Sequence, residues 1–142
     1  MKYFNLITIL TLFITGCSPT QIGFLDTRNA RYVPDTAVFK SVLDPGNFED
    51  ARRIQFEIPW ESSGIQGIDG TNPKEYKIVR VDCDATSQHT TGQFYLSNIY
   101  GRIALPYNHT VPPGRYVFSV EISNEKGRNS DVMEKALTVI IK

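Results

Sequence analysis

Arg115-Tyr116-Val117-Phe118-Ser119-Val120-Glu121-Ile122-Ser123 decides the fold class. Tyr116, Phe118, Val120 and Ile122 fall on one face and the intervening residues on the other. A side-chain period of two belongs to an extended strand, so this stretch reads as a β-strand with its even-numbered residues turned to a core. Asn124-Glu125-Lys126-Gly127 has loop chemistry, and Ala136 to Ile141 is a second apolar run that closes the chain.

Working back toward the N-terminus, the same rhythm recurs in shorter pieces. Gln93 to Ser97 and Arg102 to Leu105 read as two strands around Asn98-Ile99-Tyr100-Gly101. Glu75 to Asp82 alternates, with Val79, Val81 and Cys83 sharing a face. Residues 59–73 carry Gly64, Gly67 and Gly70, the last in an Asp69-Gly70 turn pair, and read as one long loop. Arg53 to Ile58 puts Ile54, Phe56 and Ile58 on one side. Thr36 to Leu43 is a further strand, stopped by Asp44-Pro45-Gly46. About seven short strands, no convincing helix and no internal repeat predict an all-β antiparallel sandwich over residues 34–142.

The first 33 residues are of another kind. Lys2 precedes the apolar run Leu6 to Ile14, too short to span a bilayer, which needs about 20 apolar residues. Ile14-Thr15-Gly16-Cys17 follows, and this resembles a bacterial lipobox. The resemblance implies a lipoprotein signal peptide over residues 1–16 and lipid attachment at Cys17 through a diacylglyceryl thioether, with fatty acyl chains of the palmitate kind. Each buried methylene contributes about 0.8 kcal/mol, so several chains hold the protein firmly. Residues 17–33 read as a lipidated tether, with Ile22-Gly23-Phe24-Leu25 apolar enough to dock on the domain. Ser18-Pro19-Thr20-Gln21 places no acid after the cysteine, which resembles lipoproteins sorted to the outer membrane and leaves the periplasmic and surface faces both open.

Removing residues 1–16 takes away Lys2 and no other charged residue, which leaves 14 Lys+Arg against 15 Asp+Glu. A near-neutral chain without a basic run argues against nucleic acid as a partner. With Cys17 lipidated, Cys83 has no partner for a disulfide.

The run from Pro113 to Gly127 resembles the penultimate strand and following loop of immunoglobulin-like, PKD-like or cadherin-like domains in Bacteroidetes lipoproteins. Gly114-x-Tyr116 leads into the alternating strand, and the resemblance makes Tyr116 a corner tyrosine, ring buried and hydroxyl bonded to backbone. It implies an immunoglobulin-like sandwich on a small lipoprotein, of a kind found near glycan-uptake machinery. The cysteine pair and strand tryptophan of antibody domains are absent.

Candidate sites follow from residue chemistry. His89 and His109 stand in polar loop contexts and read as solvated, and neither has metal-ligand spacing. Cys83, in phase with Val79 and Val81, reads as a small buried hydrophobe rather than a nucleophile. Asp82, Asp84 and Asp69 offer the oxygen ligands calcium needs, but in no specific motif. Flat aromatic faces stack sugar rings, and Trp60, Tyr100 and Tyr107 are the possible glycan contacts, with Tyr95 also outside clear core positions. Trp60 opens the segment 59–73, where it serves either as a glycan platform or as a cap on the sandwich. Asp35-Thr36-Ala37 resembles the Bacteroidetes O-glycosylation sequon, which would place a glycan on Thr36. Asn108-His109-Thr110 fits the eukaryotic acceptor pattern, which a bacterial lipoprotein has no reason to use. No catalytic constellation, metal or cofactor is expected. The chain reads as a non-enzymatic outer-membrane lipoprotein: an accessory docking subunit of an outer-membrane complex, or a carbohydrate-binding module.

Overall fold

The computed structural model describes residues 23–97, 99–125 and 129–142. The expected signal peptide over residues 1–16 and the expected lipid attachment at Cys17 lie outside the described residues. Eleven strands form in the described chain: β1 Leu25–Asp26, β2 Arg31–Tyr32, β3 Thr36–Phe39, β4 Trp60–Glu61, β5 Ile65–Gln66, β6 Asp69–Gly70, β7 Lys74–Asp82, β8 Tyr95–Ser97, β9 Arg102–Leu105, β10 Gly114–Asn124 and β11 Asn129–Ile141. A helix, α1, spans Phe48–Gln55, and a 3-10 helix spans Ala85–Gln93.

One sheet has the order β3-β11-β10-β7, antiparallel except for β3, which runs parallel to β11. A second, antiparallel sheet has the order β4-β9-β8. Their apolar faces meet in one core. Phe39, Tyr116, Phe118, Val120, Ile122, Leu137, Val139 and Ile141 come from the first sheet, and Ile103 and Leu105 from the second. Burying each such side chain contributes about 1.5–3 kcal/mol, so this core is what the alternation in β10 secures. The fold is an all-β sandwich. Tyr116 is fully buried, and its hydroxyl donates to the Pro112 carbonyl at 2.8 Å.

Four sequence expectations are corrected. Residues 23–33 are built into the domain rather than hung from it as a tether. β1 pairs with β6, β2 pairs with β5, and Tyr32 is 2 % exposed in the core. For the same reason residues 59–73 are not one loop. They hold β4, β5 and β6, and Gly67 is held at φ +76° where a Cβ would overlap the Asn29 carbonyl.

Arg53 to Ile58 is not a strand. Asn47 sits in extended geometry and its Oδ1 accepts from the Glu49 and Asp50 amides, capping α1. Glu49 and Asp50 complement the positive helix start, and Arg52 and Arg53 the negative end. Asp50 is the one buried residue of α1, held by Lys40 Nζ at 2.7 and 2.9 Å and by the Asp44 amide at 3.0 Å. Capping and this ion pair hold the helix, while Ile54 and Phe56 are 37 % and 63 % exposed.

The fourth correction concerns β7. Arg80 pairs with Ser119 and Ile78 with Val120, so Val79 is bulged out and 44 % exposed. The bulge changes phase: Tyr76 and Ile78 before it and Val81 and Cys83 after it all pack on the core. β11 is bulged opposite the same residue. Ser119 Oγ donates to Glu134 Oε2 and accepts from the Lys135 amide.

Candidate functional site

β9 separates Tyr100 from the other two aromatic candidates. Trp60 pairs with Leu105 at its last position, Tyr107 follows it, and Tyr100 precedes it. Leu105 and Tyr100 are five residues apart, or about 16 Å along extended chain. The structure therefore sets Tyr100 at the opposite end of β9 from Trp60 and Tyr107, and the three do not form one platform.

Trp60 is occupied within the fold. Its ring stacks on Phe39 with centroids 5.7 Å apart, and the Arg53 guanidinium lies 3.7 Å from its centroid. Arg53 is fixed there because its Nη1 donates to the Ile58 and Pro59 carbonyls at 3.0 and 2.6 Å. A cation over an indole adds to the burial. The geometry is that of a cap on the sandwich.

Tyr100 is different. It is 65 % exposed and lines a groove of about 730 Å³ with residues 64–68, Asn72, Lys74, Tyr76, Ile99 and Arg102. That volume falls within the range of small-ligand sites. The turn carrying Tyr100 is rigidly set. Gly101 has φ +60°, and a Cβ there would lie 2.8 Å from Tyr76 and 2.9 Å from Ile65. The buried Tyr32 hydroxyl donates to the Gly101 carbonyl at 2.6 Å, and the Ile65 amide donates to the Tyr100 carbonyl at 2.8 Å. Burial pushes the Tyr32 and Tyr76 phenols above their ordinary range, so both stay neutral donors near neutral pH.

The polar rim comes from β7 and β9. Lys74 Nζ donates to the Gly70 carbonyl and to Asn72 Oδ1. Arg102 Nη1 donates to Glu61 Oε2 at 3.1 Å, while its Nε is buried without a hydrogen-bond partner among the described residues. Sequence reasoning named Tyr100 but missed Tyr76, Lys74 and Arg102. The signal was the glycine spacing at 64, 67 and 101, which marks close backbone approach without showing which segments approach.

The remaining candidates are dispersed. His89 is exposed, but His109 is buried, contrary to its reading as a solvated loop residue. Its Nδ1 accepts from the Val111 amide at 3.2 Å and its Nε2 sits 3.0 Å from the Lys40 carbonyl, an arrangement that requires the neutral ring protonated on Nε2. Burial pushes its pKa down. The Cys83 thiol is pushed up by burial and by Asp84 and Asp82, and it donates to Gln88 Oε1 at 3.3 Å. Among the described residues no serine, threonine or cysteine side chain bonds to a histidine, and no three His, Cys, Asp or Glu side chains gather to hold a metal ion. Asp82 and Asp84 are exposed, and Asp69 pairs instead with Asp26 across β6 and β1. Thr36 is exposed at the start of β3. No described helix is long and apolar enough to cross a membrane. No family model, curated protein or solved structure matches this chain.

Proposed function

We propose that this chain is a non-enzymatic, lipid-anchored binding module of a bacterial outer membrane, an immunoglobulin-like sandwich that holds a glycan in the groove beside Tyr100. The observation that carries this reading is the exposed Tyr100 ring, fixed by Gly64 and Gly101 in a groove with amide and cationic groups on its rim. Sugars need that pairing of an apolar face for ring C–H groups with polar neighbours for hydroxyls. The strand orders β4-β9-β8 and β3-β11-β10-β7, with the Tyr116 corner, support the immunoglobulin-like assignment. The lipobox supports the anchor at Cys17 and the outer-membrane location. The test is retention on a panel of immobilised polysaccharides. Wild type is retained on at least one, and Tyr100→Ala loses retention with an unchanged unfolding temperature. Equal retention of the two proteins rejects the groove as the site.

A second reading is an accessory subunit docking on an outer-membrane complex, such as a glycan importer. It is favoured by Val42, Phe48 and Phe56, which are 79 %, 77 % and 63 % exposed on one segment around α1. Mild crosslinking in intact cells tests it. A stoichiometric outer-membrane partner lost in a Phe48→Ser, Phe56→Ser double variant supports docking, and recovery of the monomer with no partner rejects it.

A further inference from the structure

We propose that the groove takes an acidic glycan, with a sugar carboxylate received by Lys74 and Arg102; this rests on the glycan reading above. Lys74 and Arg102 are the charged residues of the groove lining, and none of the lining residues is acidic. The Lys74 ammonium is bonded to two neutral acceptors, the Gly70 carbonyl at 3.1 Å and Asn72 Oδ1 at 3.0 Å. An ammonium carries three donors, so one is left for a ligand, and no ion pair among the described residues neutralises the charge.

Arg102 is compensated on one side. Its Nη1 faces Glu61, and the side chain is 41 % exposed. A carboxylate oxygen is an acceptor suited to a guanidinium. The groove therefore holds one uncompensated positive charge on Lys74 beside a half-exposed guanidinium. A neutral sugar would engage the Tyr100 face and the Gln66 and Asn72 amides and leave that charge unanswered. A uronic acid answers it, because its ring carries both the apolar face and the carboxylate. The two cations stand on different strands, β7 and β9, so the preference is set by the fold rather than by one flexible side chain.

The test uses the full mature chain, a set of uronic-acid oligosaccharides (galacturonate, glucuronate and mannuronate types) and the methyl ester of each, which keeps the sugar and removes the charge. Titration calorimetry is run at low and at raised salt. At least one acid binds, its ester binds about tenfold more weakly, and added salt weakens the acid and not the ester. Lys74→Met abolishes the preference for the acid over its ester and the salt dependence, while Tyr100→Ala weakens binding of both forms. An ester that binds as well as its acid, or a Lys74→Met protein that keeps the preference, overturns the acidic-glycan inference and leaves the glycan reading standing. Binding of neither form overturns the acidic-glycan inference, and retention on the polysaccharide panel decides the glycan reading.

Discussion

Gly64 and Tyr100 pack so closely that a methyl group added to Gly64 would lie 2.8 Å from Tyr100 Cβ and 3.3 Å from its carbonyl oxygen. Contact this tight forces one partner to move, and the backbone turn of Tyr100 is the partner that carries the proposed ligand face. Gly64→Ala is expected to displace residues 99–101 and weaken glycan retention at least tenfold, with a stability loss of about 1–2 kcal/mol. Gly101→Ala is expected to cost more, about 2–4 kcal/mol, because it adds a left-handed backbone to two close contacts. Urea denaturation with retention assays on both variants checks this ordering.

Trp60 is expected to matter for stability and not for binding. Its ring is stacked on Phe39 and covered by Arg53, so Trp60→Ala removes packing at the sandwich end and lowers stability by about 3 kcal/mol. Retention on polysaccharide measured below the variant's unfolding temperature stays at the wild-type level. Loss of retention in a folded Trp60→Ala protein would return the site to that end of β9.

His109 gives the fold a pH dependence. Burial holds its folded-state pKa below that of the unfolded chain, about 6.5. As pH falls below about 6.5 the unfolded chain takes up the proton first, so this contribution to stability is present above that value and declines toward the lower folded-state pKa. Protonation of Nδ1 also removes the acceptor of the Val111 amide. In urea denaturation between pH 8 and pH 5, wild type loses stability over the acid half, and His109→Gln, less stable throughout, shows a flatter profile there.

The tether is shorter than its sequence suggests. With residues from Gly23 onward bonded to the domain, five residues separate that point from Cys17, and the six steps between them span at most about 20 Å. Lipidation at Cys17 would therefore hold the end bearing Ser130 close to the bilayer and the turn with Asn108 away from it, since β10 spans about 35 Å between these ends. In a Cys83→Ser background, fluorophores on Ser130→Cys and Asn108→Cys in vesicle-bound protein check this. Quenching by headgroup acceptors is stronger at position 130.

The parts of the fold legible in the sequence are those where one force dominates. Tyr116, Phe118, Val120 and Ile122 need only period two and a core, and β10 stands where that pattern puts it. Where forces compete, pattern misleads. Ile54, Phe56 and Ile58 alternate like a strand, but Asn47 caps a helix and the Lys40–Asp50 pair anchors it. Val79 looks in phase with Val81 because a bulge leaves no trace in alternation. The groove was legible only as Tyr100 and scattered glycines. Its other walls come from β5, β7 and β9, and their meeting is a matter of tertiary pairing that local sequence does not encode.

The most direct measurement is an amide NMR titration of the mature chain carrying Cys17→Ser with the uronic-acid oligosaccharides. Saturating shifts confined to residues 64–68, 72–76 and 99–102 are the expected result. Shifts centred on α1 or around Trp60, or no shifts with any of them, would contradict the groove as the binding site.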